Sequence, residues 1–294
     1  MHIKHIVLSG GGTLGICELS VLNTLIKKEV INMNNIQSIY GISIGSFIAI
    51  LMTMGIDTEV ILNYVINRPW DKLFKSYCTT DCILSLDKNK GIYGRDFFID
   101  ILSPLLKYSS YDETVTFQEL YERSNIELYI YAARVDGIVC TEFSKFSHPN
   151  MNVITALIMS CAIPGIFQPV FFEDHFYIDA GIVVNYPIYY CLQRNGDHKD
   201  EILGIRFNSM KCDNENVFKE DMHIIPYMVM MLREIHSKLR ESHSEEGIDQ
   251  EVVIPYTKTD AFSEKILFHR SERQRFAELG DKYATIFAWY INEE

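Results

Sequence analysis

Apolar positions in the first sixty residues alternate between two periods. A short continuous run at 5–8 reads as a strand. Leu19, Leu22 and Ile26 then recur at helical spacing, which predicts a helix over about 16–28. A second short run at 38–40 predicts another strand. After it, Ile44, Phe47, Ile48, Leu51 and Met52 share one helical face, and Ala49 and Ile50 extend the apolar surface around the helix. Such a helix is buried on most sides, and Gly55 supplies its stop. Strand, helix, strand, helix is the order of an α/β fold with a parallel sheet.

The pattern is less regular from 57 to 120. Residues 57–66 read as a helix ending before Pro69, and 70–85 as a mixed aromatic and polar loop. Helices are expected over 95–106 and 117–123. This region is placed to cover the mouth of a site. Phe97, Phe98, Leu102 and Leu105 would then face lipid or the core, and burial in the core is the ordinary fate of such residues. Further on, 126–135 alternates Ile126, Leu128 and Ile130 with Glu127, Tyr129 and Tyr131, a strand with one face buried. A helix is predicted over 153–161, closed by Pro164, followed by a β-rich stretch over 169–178 and a strand over 201–207. The remainder reads as a helix over 226–241, a short strand at 252–254 and a last helix from about Ser271, where Ser271 and Gln274 fit a capping box. Residues 198–201 and 241–251 read as exposed polar loops. Without repeats or low-complexity linkers, residues 1–294 are expected to form one domain, with 208–294 a helical extension packed on it.

Composition narrows the function. At 48% hydrophobic and 22% charged the chain can bury an ordinary core. The formal charge of −12 argues against nucleic acid as a partner and against purely electrostatic attraction to anionic lipid. Seven cysteines are scattered at 17, 78, 82, 140, 161, 191 and 212 with no zinc-binding spacing. Free thiols in a reducing compartment are therefore expected, in a cytoplasmic protein. The amino-terminal apolar run is too short for a signal peptide, and no run approaches the roughly 20 residues of a spanning helix.

Two glycine-rich turns carry the chemistry. Gly41-Ile42-Ser43-Ile44-Gly45 lies between a strand and a helix, the setting of a nucleophile elbow that holds Ser43 out at a sharp turn. A serine capping a helix is the simpler account of the same residues. Gly10-Gly11-Gly12-Thr13-Leu14-Gly15 lies between the first strand and the first helix. It fits an oxyanion hole of bare amides, a dinucleotide-binding loop, or a tight turn with no chemistry. The dinucleotide reading, which makes the protein an oxidoreductase, wants an acid at the end of the second strand, and that strand ends in Gly41-Ile42-Ser43. Two such turns on adjacent βα units would stand side by side at the carboxyl edge of one sheet.

A serine hydroxyl needs a base. None of the nine histidines is singled out by position, and an elbow as early as residue 43 disfavours an ordinary α/β-hydrolase. Asp179 closes the apolar stretch 176–178 and is followed by Ala180-Gly181 at a strand-end turn. Aspartate also caps turns without any chemistry. In a desolvated site with a raised pKa, its carboxylate takes a serine proton directly.

Taken together, the glycine loop, the elbow, Asp179-Ala180-Gly181, the segment 160–170 (Ser-Cys-Ala-Ile-Pro-Gly-Ile-Phe-Gln-Pro-Val) and Asn185-Tyr186-Pro187 stand in the order found in patatin-like phospholipases, which the chain resembles over about 5–207. The resemblance implies a three-layer α/β/α sandwich with a mainly parallel central sheet. It implies a lipid acyl hydrolase with Ser43 as nucleophile and Asp179 as base. The amides of Gly10, Gly11 and Gly12 would form the oxyanion hole, with Thr13, Leu14, Gly15, Gly41, Gly45, Ala180 and Gly181 as supporting motif residues. No cofactor or metal is required. The partner would be a lipid substrate, met in transient contact with a membrane surface. Leu14 stands where the family usually has arginine or lysine, which weakens the expectation of a preference for charged headgroups. A catalytically silent lipid-binding protein on the same fold is the third reading.

Overall fold

A computed structural model describes residues 2–77, 82–196, 198–210, 247–257 and 264–293, with isolated positions at 220, 227, 228, 230, 231, 234 and 260. The helix expected over 226–241 falls almost wholly outside the described residues. The strands are β1 (His5–Leu8), β2 (Ser38–Ile42), β3 (Gly91–Tyr93), β4 (Glu127–Arg134), β5 (Val139–Phe143), β6 (Gly165–Phe167), β7 (Val170–Phe172), β8 (His175–Asp179), β9 (Ile202–Ser209) and β10 (Glu251–Tyr256). The helices are α1 (Gly15–Lys27), α2 (Ile44–Thr53), α3 (Thr58–Asn67), α4 (Trp70–Tyr77), α5 (Cys82–Asn89), α6 (Arg95–Ser109), α7 (Phe117–Ser124), α8 (Val153–Cys161), α9 (Ile188–Asn195), α10 (Glu264–Phe268) and α11 (Arg270–Glu293).

The main sheet runs β10-β9-β1-β2-β4-β8-β7, with β5 also on β4. Pairings from β10 through to β4 are parallel, whereas β5, β7 and β8 add antiparallel pairs at the far side. The result is a mixed, mostly parallel sheet between helices, an α/β sandwich. One face carries Ile6, Leu8, Ile39, Ile130, Leu203 and Ile205, buried in the same core as α1, α2 and α8. The other carries Val7, Tyr40, Ile42, Tyr129 and Tyr131, packed with residues of α9. β4 is thus buried on both faces. The tyrosines that read as its polar side are stacked, Tyr40 on Tyr129 with centroids 4.5 Å apart and Tyr131 on Tyr190 at 4.6 Å.

Two expectations are corrected. Residues 70–77 are helical, not loop, and α5 follows from 82. Trp70, Leu73, Phe74 and Tyr77 keep helical spacing, and all pack on the core. The last helix starts at Arg270, so Ser271 lies inside its first turn, and the His269 carbonyl accepts from the amides of Glu272 and Arg273. Phe97, Phe98, Leu102 and Leu105 face the core, the fate expected of them. Phe97 sits among Phe74, Tyr77, Tyr93, Phe98 and Phe167, with centroids 4.6–6.0 Å away.

Two links place the less regular regions. β3 pairs with β6, which ties 91–93 to the segment just ahead of β7 and β8. α11 lies along α1, where Ser20 Oγ donates to the Ala277 carbonyl at 2.6 Å and Thr24 Oγ1 to Asp281 Oδ1 at 2.6 Å. Truncating the aromatic cluster at its centre tests its role as core. Phe97→Ala is expected to cost about 3–5 kcal/mol in equilibrium denaturant unfolding.

Candidate active site

The site grows from strand register. β5 holds one edge of β4 over residues 130–134. The other edge of β4 is shared in succession by two strands, since a strand has only two edges. β2 takes it as far as Ile42 opposite Tyr131, and β8 continues from Asp179 opposite Ala132. Ser43 and Asp179, far apart in sequence, therefore meet because their strands end and begin at consecutive residues of β4. The glycine loop follows β1, the parallel neighbour of β2, at the same carboxyl edge. β1 has β9 on its other side, so the chain turns back there, at the kind of switch point where open α/β sheets bind ligands.

The elbow is held by close packing and one hydroxyl. Ser43 adopts φ 54° and ψ −123°, a backbone conformation rarely taken by a side-chain-bearing residue. A Cβ at Gly45 would stand 2.7 Å from the carbonyl oxygens of Leu8 and Ser9, so only glycine lets α2 start against the end of β1. Gly41 meets the Gly45 backbone in the same way, at 2.7 Å. Ser160, from α8, accepts the Ser43 N–H at 2.9 Å, donates to the Tyr131 carbonyl at 2.7 Å and lies 2.9 Å from Ser46 Oγ. One buried hydroxyl thus joins elbow, β4 and α8.

Asp179 is 4% exposed, and Ser43 is 7% exposed. Burial raises the Asp179 pKa from the usual 3.8 to about 6, against the lowering effect of hydrogen bonds from the Ser43 hydroxyl and the Gly181 N–H. The Gly181 amide donates to Asp179 Oδ1 at 2.7 Å. Asp179 also caps the turn 180–182, in which Ala180 is buried. The carboxylate is therefore ionised at neutral pH and desolvated, at the strand junction where Ser43 also stands. Cys161 approaches the same hydroxyl, and burial keeps its thiol neutral.

The glycine loop corrects one expectation. The Gly10 N–H already donates to the Asn185 carbonyl at 2.8 Å, and Asn185 Nδ2 donates back to the Gly10 carbonyl at 2.9 Å. Gly10 is a clamped hinge and not a free donor, because the chain after Asp179 returns to bind it. It still lies beside Ser43, since a Cβ there would be 3.4 Å from Ser43 Cβ. Gly11 and Gly12 take no such bond among the described residues, and Gly12 has φ 56°. Thr13 and Leu14 complete a short 3₁₀ turn, and Gly15 opens α1. The Leu14 side chain is buried in the core, so this loop is anchored by apolar packing and presents no cation. The same clamp on Gly10 counts against a dinucleotide loop, which needs its amides open to pyrophosphate.

Three structural partners escaped sequence reasoning. Ser160 and Asn185 lie inside recognised motif segments, but only folding shows what they bond. Glu18 carried a signal that went unread, an acid among Ile16, Cys17 and Leu19 on a buried helix. It is fully buried, accepts the Ser9 N–H at 3.0 Å, and burial holds its carboxyl well above the usual carboxylate range. Of the candidate histidines, His5 bonds Ser38 Oγ at 2.7 Å at the opposite, amino end of the strands.

Comparison with known proteins agrees with this arrangement. A family model described as patatin-like phospholipase matches residues 6–192. An uncharacterized protein, R571, of Acanthamoeba polyphaga mimivirus is 28% identical over 224 residues, covering 76% of this chain and 71% of the relative. The probable lipid hydrolase 463L of Invertebrate iridescent virus 6 is 27% identical over 218 residues, covering 69% and 70%. Among solved structures, VipD from Legionella pneumophila shares the fold with a TM-score of 0.58 at 16% identity, covering 98% of this chain and 67% of that one. With well over half of its length matched by the family model, the chain belongs to the patatin-like phospholipase family, a family of lipid-ester hydrolases.

Proposed function

We propose that the protein is a serine lipid acyl hydrolase that cleaves fatty-acyl esters of glycerolipids. The observation that carries the reading is the strand register that brings the ends of β2 and β8, and so Ser43 and the buried Asp179, to consecutive positions along β4. Ser43 Oγ attacks the ester carbonyl while its proton passes to Asp179. The oxygen of the tetrahedral intermediate gains charge beside the amides of Gly11 and Gly12, near the positive end of the α2 dipole. The leaving alkoxide takes the proton back from Asp179 and departs as alcohol or lysolipid. Water then gives a proton to the same carboxylate and attacks the acyl-serine, and Ser43 Oγ leaves with that proton as the fatty acid is released. The viral relative named as a probable lipid hydrolase supports the substrate class. Reaction of Ser43 with a fluorophosphonate separates this reading from a silent lipid-binding protein, because only an activated serine labels quickly.

We also propose that the extension after 208 belongs to the same domain, a reading supported by the bonds of α11 along α1.

Ser43→Ala is expected to lower hydrolysis of a lipid-ester panel by at least about 10⁴-fold with an unchanged circular dichroism spectrum. Turnover retained in that variant would refute the role. The pH dependence has a worked sign. The base must be ionised, so log kcat/KM should rise with unit slope and level off above about pH 6. Stability runs the other way. Native Asp179 keeps its proton up to about pH 6 and the unfolded chain only up to 3.8, so the native state is favoured at low pH and loses roughly 3 kcal/mol as pH rises through 6. Asp179→Asn is therefore expected to be inactive yet more stable than wild type at pH 8, with the gain gone by pH 4. Ser160→Ala leaves the Ser43 amide without its acceptor, and should cost about 1–3 kcal/mol in thermal unfolding while lowering kcat more than it raises KM.

A further inference from the structure

Two turns project past the carboxyl edge of the sheet beside the site. β8 runs antiparallel to β4 and ends at Asp179, so its other end, with the turn back to β7, stands beyond the edge where Ser43 sits. The β4–β5 turn reaches the same level, and the Val135 amide donates to the Phe176 carbonyl at 2.8 Å. Val135, Ile138, Val139, Phe171 and Phe176 are between 36% and 59% exposed. Phe171 and Phe176 are register partners with rings 4.9 Å apart, Lys90 Nζ lies 5.2 Å from the centroid of the Phe176 ring, and Ile138 and Val139 close the turn that Val135 opens. The turns are tightly shaped. Glu173 and Asp174 both have positive φ, which suits a two-residue hairpin loop, and Ile138 is held at φ 52°, rare for a β-branched residue.

We propose that this apolar platform seats the protein on a net-neutral lipid surface, with the mouth of the site facing that surface. The choice of lipid as occupant rests on the acyl-hydrolase reading. Three observations select it. The patch exposes on the order of 400 Å², about half of what each partner buries in a standard protein interface, so it is too small for a stable dimer. Phe176 lies three residues from Asp179 on one strand, about 10 Å along it, so whatever the platform touches is held at the entrance. The local charges nearly cancel. Lys90 and Arg134 stand against Asp136, Glu173 and Asp174, with Asp136 bridging Arg134 at 3.4 Å and His175 at 3.0 Å, and His148 reaching Glu173 at 3.9 Å. With a formal charge of −12 over the whole chain, an anionic surface is repelled, whereas a zwitterionic one takes the aromatic side chains and offers phosphate to Lys90. No helix among the described residues is long and apolar enough to cross a membrane, so the contact is one of lying on the surface.

The full chain is tested by flotation with phosphatidylcholine vesicles and with vesicles rich in phosphatidylserine. Wild type should bind phosphatidylcholine vesicles, more tightly than the anionic ones and with little dependence on salt. Phe171→Ser/Phe176→Ser should bind about 10- to 100-fold more weakly while hydrolysing a water-soluble short-chain ester within about twofold of wild type. Ser43→Ala should dock like wild type without turnover, which separates loss of docking from failure of the hydrolase reading. If the double variant misfolds, Phe171→Trp serves instead, and its emission should be quenched by brominated phosphatidylcholine beyond the quenching of wild type. Unchanged vesicle binding by the folded double variant, tighter salt-sensitive binding to the anionic vesicles, absence of quenching at Phe171→Trp, or a dimer in solution that the double substitution dissolves would each overturn the proposal.

Discussion

The site depends on how one edge of β4 is divided. Hydrogen bonding along a strand leaves no slack: each residue pairs with one neighbour, and a slip of one position reverses every side chain. β2 leaves that edge at Tyr131 and β8 enters it at Ala132, so Ser43 just past the end of β2 and the Asp179 carboxylate at the end of β8 come together without either loop having to search. Ser160 reinforces the junction by bonding the Tyr131 carbonyl and the Ser43 amide at once. Loops elsewhere can vary in length with little effect on this geometry, because the distance is set by the sheet.

Burial does two things at that junction. It raises the Asp179 pKa to about 6, and it makes that carboxylate costly to hold. Few donors compensate it, namely the Ser43 hydroxyl and the Gly181 amide. More donors would stabilise the fold and weaken the base. Reactivity and stability therefore draw on the same desolvation with opposite sign.

Much of this was legible in the chain itself. Short continuous apolar runs located β1 and β2, and apolar helical stretches located α1, α2 and α8, because those elements sit almost wholly inside a core and carry little else. The order of five motifs located Ser43 and Asp179. What escaped has physical causes. α4 was hidden because its apolar residues are large aromatics mixed with lysines and an aspartate, and hydrophobic spacing rather than average polarity was the signal to follow. β3 and β6 are three residues each, too short to show any period. β4 looked one-sided because tyrosine reads as polar, yet stacked tyrosines fill the second core. The Gly10 amide could not be assigned without the fold, since its acceptor is 175 residues away. Glu18, Ser160 and Asn185 act through bonds to backbone, which leave no pattern in sequence.

The two hydrogen bonds between Gly10 and Asn185 have a further effect. They fasten the strip of amides after β1 to the peptide that follows the aspartate, so the two halves of the dyad's surroundings are carried on one rigid bracket. A fluctuation that displaces either half drags the other with it, and the spacing between base and amide cradle is preserved even while the bracket rocks as a whole. Residue 185 is thus where tolerance to substitution on both sides of the cleft is decided together.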